Sequence, residues 1–123
     1  MKTTIAGAIR VTLKEEMERD NDIFLLGEDI AAYGGIHNVT KGLLDAFGAQ
    51  RVIDSPLSEC VIAGCGVGAA IAGMRPIVEI MYADFLPLAM DQIINNAAKT
   101  SYLTQGADKV PLVIRSNFGT GKG

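Results

Sequence analysis

The chain reads as an α/β domain of three layers, with helices on both faces of a central, mostly parallel sheet. Three observations predict this. Helix-type and strand-type segments alternate along the chain. The strand-type segments are short and largely apolar: Ile23–Leu26, Arg51–Asp54, Ile77–Tyr82 and Val110–Arg115. Such runs suit strands covered on both faces. Polar, acidic and aromatic residues collect just where these runs end, at Gly27-Glu28-Asp29, Asp54–Glu59, Tyr82–Phe85 and Arg115–Gly119. In open parallel sheets, ligands bind at the carboxyl ends of the strands.

Each element has its own signal. Thr3–Arg19 predicts a helix, because Ile5, Ile9, Leu13 and Met17 recur every four residues while Lys14, Glu15, Glu16 and Glu18 form a wet face. Asp20-Asn21-Asp22 is a turn. Ile23–Leu26 is the first strand. Ile30–Asn38 is a loop holding Tyr33-Gly34-Gly35 and the single histidine, His37. Val39–Phe47 predicts a helix stopped by Gly48. After the second strand, Pro56 breaks the chain and Ser58 is placed to cap a helix over Glu59–Gly73. Arg75-Pro76 leads to the third strand. Asp84–Tyr102 predicts an amphipathic helix, with Asp91, Gln92, Asn95, Asn96 and Lys99 as its polar stripe and Leu86, Met90, Ile93, Ile94, Ala97 and Ala98 opposite. The fourth strand follows a loop at Thr104–Lys109, and a glycine-rich stretch closes the chain.

Composition narrows the function classes. At 123 residues, 49% hydrophobic and 20% charged, the chain suits one globular domain over residues 1–123. A net charge of -3 offers no basic footprint, which argues against nucleic acid as a main partner. The longest uncharged run, Cys60–Met74, is shorter than the ~20 residues that cross a bilayer. No membrane partner is therefore expected. Cys60 and Cys65 point to different faces of one predicted helix and are expected to be small buried thiols of a reducing cytoplasm, not a disulfide.

Several motifs invite a site. Gly64-Cys-Gly66-Val-Gly68-Ala69 matches the dinucleotide fingerprint G-x-G-x-x-A, and Asp84 lies further along at a strand end. That fingerprint needs its first glycine at the end of a strand. Read as part of a helix from Glu59, the same glycines make a smooth surface for close packing. Nicotinamide-nucleotide binding is thus the weaker reading. Gly119-Thr-Gly121-Lys-Gly123 is glycine-rich, but no helix follows it, so it is no phosphate loop. His37 has no second ligand at metal spacing, and nothing else supports a nucleophilic triad. What remains is Glu59. It is one carboxylate at the head of a long apolar run, and an acid in such surroundings costs free energy unless it has a use.

In order along the chain stand Phe24-Leu-Leu-Gly-Glu-Asp29, Tyr33-Gly-Gly35, Val39-Thr-Lys-Gly-Leu43, Arg51-Val-Ile-Asp-Ser-Pro-Leu-Ser-Glu59, Gly66-Val-Gly-Ala-Ala70, Ala72-Gly-Met-Arg-Pro-Ile77, Asp91-Gln-Ile93 and Asn96-Ala-Ala-Lys99. This series closely resembles the beginning of the beta subunit of the thiamine-diphosphate-dependent 2-oxo-acid dehydrogenases, the type shared by pyruvate, branched-chain 2-oxo-acid and acetoin dehydrogenases. The resemblance implies a transketolase-like pyrimidine-binding fold, cut short at its C-terminus and without the C-terminal domain of a whole beta subunit. It implies thiamine diphosphate as cofactor, with Glu59 hydrogen-bonding the aminopyrimidine ring as the catalytic group. Phe85, Met81 and Leu57 would line the ring, and Glu28 would lie near the same pocket. A backbone carbonyl at Leu112 would be this chain's contribution to a structural potassium site. The pattern that holds magnesium and the diphosphate is missing, which implies an alpha subunit as partner. A lipoyl-bearing acyltransferase would receive the acyl group. Within these residues no complete active site is expected, so the chain alone should be inactive. A non-catalytic module or relic of the same fold is the alternative. Self-association is expected from the apolar surplus, since a helix apolar all round needs cover on every side.

Overall fold

In a computed structural model of the chain, residues 3–119 are described. The element order is α1 (Ile5–Arg19), β1 (Ile23–Gly27), a 3₁₀ turn (Ile36–Asn38), α2 (Leu43–Phe47), β2 (Val52–Asp54), α3 (Glu59–Ile71) and β3 (Arg75–Tyr82). A 3₁₀ turn (Ala83–Phe85), α4 (Leu86–Asp91), a π-helical turn (Gln92–Ala97), α5 (Ala98–Leu103) and β4 (Val113–Asn117) complete it. All strand pairs are parallel, in the order β2-β1-β3-β4. The expected α/β architecture is present.

The strand β1 lies inside the sheet, and all five of its residues are buried. Its side chains alternate between two cores. Ile23 and Leu25 join Leu13, Met17, Ile30, Val39, Leu43 and Val52 under α1 and α2. Phe24 and Leu26 join Ile62, Ala63, Val78, Ile80 and Ala89 under α3 and α4. This double burial explains why the run has no polar alternation.

The helix α1 begins where Thr4 caps it, its hydroxyl accepting from the Gly7 amide at 3.0 Å. Only the second half of the expected stripe is sealed: Leu13 and Met17 are buried, while Ile5 is exposed. Over β1 and β2 this face is closed. Over β3 and β4 it leaves an apolar groove of about 300 Å³ between Ile9, Leu13, Ile77 and Val113. Arg51 locks the closed corner. Its guanidinium donates to the carbonyls of Met17, Asp20 and Ile23 at 2.7 to 2.9 Å and lies over the Phe47 ring.

Four expectations need correction. The helix expected over Val39–Phe47 starts only at Leu43, because Gly42 takes a left-handed φ of 81° and interrupts it. The fourth strand begins at Val113 rather than Val110, since Pro111 has no N–H for the ladder. The cysteines are exposed rather than buried, and Cys60 Sγ accepts from Gln92 Nε2 at 3.8 Å. The long amphipathic helix is broken by the π-helical turn, which rotates its faces. Gln92 and Asn96 turn towards the domain, while Ile94, Tyr102 and Leu103 are exposed. The glycine-rich stretch from Thr120 to Gly123 lies outside the described residues. Among the described residues no helix is long and apolar enough to cross a membrane.

Candidate functional site

The carboxyl ends of β1, β2 and β3 converge on one region of the fold. From β2 the chain passes through Ser55-Pro56-Leu57-Ser58 and enters α3 at Glu59. Glu59 is only 8% exposed, yet its carboxylate makes no hydrogen bond or ion pair with a described side chain or backbone group. At the first residue of a thirteen-residue helix, its charge faces the positive end of the helix dipole. Ser58 occupies the capping position, but its side chain makes no capping bond, contrary to its expected role.

Glu28 stands at the end of β1, half-buried beside this acid. Its carboxyl is held above the ordinary 4.5, first by burial, then by the negative charge of Asp29, then by that of Glu59. Glu28 therefore senses the negative charge of Glu59 across the strand ends. Met81 is half-buried near the end of β3. Phe85 is 39% exposed and meets Tyr82 edge to face, with ring centroids 5.9 Å apart. Leu57 is 72% exposed, and Val61 and Leu88 are also open. Leu112 lies apart, just before β4, with its side chain packed under α3 against Gly66.

Sequence reading missed two polar devices next to this region. The Asp54 carboxylate, at the end of β2, accepts the Ala31 amide at 2.7 Å and the Ala32 amide at 3.4 Å. Glu79 and Arg115 form a buried ion pair between β3 and β4, with Arg115 Nη2 and Nε at 2.5 and 3.0 Å from one carboxylate oxygen. The signal for the pair was one acid and one base, each interrupting an otherwise apolar strand. Ser116 Oγ and Asn117 Nδ2 are buried at the carboxyl end of β4 without a partner among the described residues. The described residues contain no cluster able to hold a metal ion. The glycine fingerprint at Gly64–Ala69 lies inside α3, not at a strand end, so it does not form a dinucleotide turn. Gly66 instead seats α3 on the sheet, where an added Cβ would lie 2.6 Å from Val78 Cγ1.

A four-stranded parallel sheet with flanking helices is consistent with a pyrimidine-binding domain, and residues 1–122 match the family model for the transketolase pyrimidine-binding domain. The chain belongs to that family. It is 49% identical over 119 residues to the beta subunit of the pyruvate dehydrogenase E1 component of Rickettsia bellii, covering 97% of this chain and 37% of the relative. It is 49% identical over 114 residues to the 2-oxoisovalerate dehydrogenase subunit beta of Bacillus subtilis, covering 93% and 35%. The human mitochondrial pyruvate dehydrogenase E1 subunit beta is 46% identical over 123 residues, 100% of this chain and 34% of the relative. The chain thus spans about a third of the length of these relatives.

Proposed function

We propose that this chain provides the pyrimidine-binding half of a thiamine-diphosphate site in a 2-oxo-acid dehydrogenase beta subunit, and that residues 1–123 are one domain of it. The observation that carries this reading is Glu59, a residue only 8% exposed at a helix start, whose carboxylate takes no hydrogen bond from any described residue. A largely buried carboxyl left without a protein partner fits a ligand with which it can share a proton. The exposed ring of Phe85 and the apolar side chains of Met81 and Leu57 fit the flat face of a heterocycle. The residues present therefore suit an aminopyrimidine.

When bound, the cofactor supplies the carbanion chemistry that removes carbon dioxide from a 2-oxo acid. The chain's own part is narrower. Glu59 would hold a proton toward a nitrogen of the ring, and its low exposure would limit competition from water. Glu28 adds negative charge beside it. Leu57, Val61 and Phe85 are open, which supports a second subunit closing the site. That subunit is proposed to be an alpha subunit carrying magnesium and the diphosphate. The acyl product would pass to a lipoyl-bearing acyltransferase. Leu112 remains a candidate carbonyl ligand for potassium. Two free thiols without a disulfide support a reducing, cytoplasmic setting.

The test is a titration of thiamine diphosphate with magnesium into the chain alone and into the chain mixed with an alpha-type subunit. Binding is expected only in the mixture, with Glu59→Gln lowering decarboxylation by about 10²–10⁴-fold. Unchanged turnover in that variant refutes the role of Glu59. No binding in either sample, with a folded chain, favours a non-catalytic module of the same fold.

A further inference from the structure

The two glutamates of the site come from different segments, and one residue ties those segments together. Glu28 sits in a short turn after β1, in which Asp29 has a left-handed φ of 53°. That conformation is strained for a residue other than glycine and persists only where its surroundings enforce it. The enforcing contacts come from both sides. Before Glu28, the Ser55 amide donates to the Gly27 carbonyl at 2.8 Å. After it, the Ala31 and Ala32 amides both donate to the carboxylate of Asp54. The Thr40 hydroxyl donates to the Ile30 carbonyl at 2.6 Å, and the Gly35 amide to the Asp29 carbonyl at 2.9 Å.

Asp54 and Ser55 therefore bracket Glu28, and the same run of chain reaches Glu59 five residues after Asp54. The geometry points to Asp54 as a positioning residue: its carboxylate clamps the turn after β1 and so fixes where Glu28 stands at the end of the sheet that Glu59 shares. Two bonds to one charged acceptor are stronger than neutral ones and fix orientation as well as distance. Asp54 is also the register partner of Gly27, so the clamp starts from a fixed point of the sheet. Gly27 has no room to yield, because an added Cβ there would lie 3.0 Å from the Glu79 backbone oxygen and from Glu79 Cβ. The catalytic meaning of the clamp rests on the function proposed above for Glu59; the clamp itself does not.

The experiment compares Asp54→Ala and Asp54→Asn with the parent chain, following the Glu28 carboxyl by NMR titration and the Ala31 amide by hydrogen exchange. Burial, Asp29 and Glu59 are what hold the Glu28 carboxyl high, so a fall in its midpoint reports displacement rather than the lost charge of Asp54. In Asp54→Ala, the Ala31 amide is expected to exchange at least about tenfold faster, with the Glu28 midpoint falling towards its ordinary value. Asp54→Asn keeps one acceptor oxygen and is expected to fall between the two. Should Asp54→Ala fail to fold, Asp54→Asn carries the test, and an unchanged Glu28 and Ala31 there overturn the clamp. Parent behaviour of both groups in a folded Asp54→Ala overturns it as well. A second arm measures thiamine-diphosphate affinity of each variant assembled with an alpha-type subunit. Glu28 displaced while Glu59→Gln leaves cofactor binding and turnover intact refutes the proposed function and not the clamp. The reverse pattern refutes the clamp alone.

Discussion

The two faces of the sheet are built on different terms. Under α1 and α2, Met17, Ile30, Val39, Leu43 and Val52 are almost completely buried, and Arg51 and Thr40 satisfy backbone carbonyls at the margin. Under α3 to α5 the inner layer is as dry, but apolar side chains also stand open on the outer surface of the helices, beside polar ones such as Asp91, Asn95 and Lys99. Val61, Ile71, Leu88, Ile94, Tyr102 and Leu103 all stand open. The first face is finished within the chain over β1 and β2. The second is a packed layer with open apolar side chains outside it, a feature common on surfaces that take a partner. The candidate acid lies at the rim of this second face, at the head of α3.

This contrast can be broken or sharpened by substitution. The largest effect is expected at the ion pair that joins β3 to β4. Arg115→Met leaves Glu79 charged, buried and alone, which should cost about 3–5 kcal/mol in a denaturant unfolding experiment. Next comes the closed core. Met17→Ala removes a fully buried side chain and should cost about 2–5 kcal/mol. If Met17→Ala costs no more than an outer-face substitution, the closed corner is not closed.

A smaller effect is expected at the site. The Glu28 carboxyl titrates higher in the fold than in the unfolded chain, so folding favours its protonated form. Its stabilising contribution is full below the ordinary 4.5 and is lost as pH rises through the raised folded value. Glu28→Gln should therefore leave the urea midpoint unchanged under acid conditions below that range and raise it at neutral pH. A variant no more stable than the parent at neutral pH would show that the charge is not strained. The smallest effect on stability belongs to the open face. Ile94→Ser with Leu103→Ser should change unfolding by less than about 0.5 kcal/mol per site. Sedimentation should nevertheless show weaker self-association or weaker binding to an alpha-type subunit. A stability loss like that of Met17→Ala would mean these side chains serve the fold instead.

Much of this was legible in the sequence. The four apolar runs marked the four strands, and the break at Pro56 followed by Glu59 marked the head of α3. Glu59 stood out because a lone acid beside an apolar run is costly wherever it folds. The rest was hidden for physical reasons. Strand order depends on contacts between segments far apart in the chain, and no local period records it. The faces of the helix after β3 escape a 3.6-residue period, because a π-helical turn adds a residue to one turn and rotates every later side chain. Asp54 looked like a strand-end acid, since its partners are backbone amides and carry no sequence signature. Arg51 was silent for the same reason. Thiols usually bury, which points the cysteines inward on sequence grounds, whereas a helix that packs on both sides turns some small residues outward.

The strand order has a consequence for how the protein comes into being. On one side β1 pairs with β2, which comes soon after it in the chain. On the other side it pairs with β3, whose register with Ile23 begins only at Arg75. During synthesis, the most apolar strand therefore leaves the ribosome long before the segment that completes its hydrogen bonds. Phe24 and Leu26 also wait for α3 to cover them. Pairings so distant in sequence are slow to form and leave strand edges open to other chains. The nascent chain should thus depend on chaperones until β3 has emerged, and the hazard arises from the same parallel order that brings Glu28 and Glu59 to one end of the sheet.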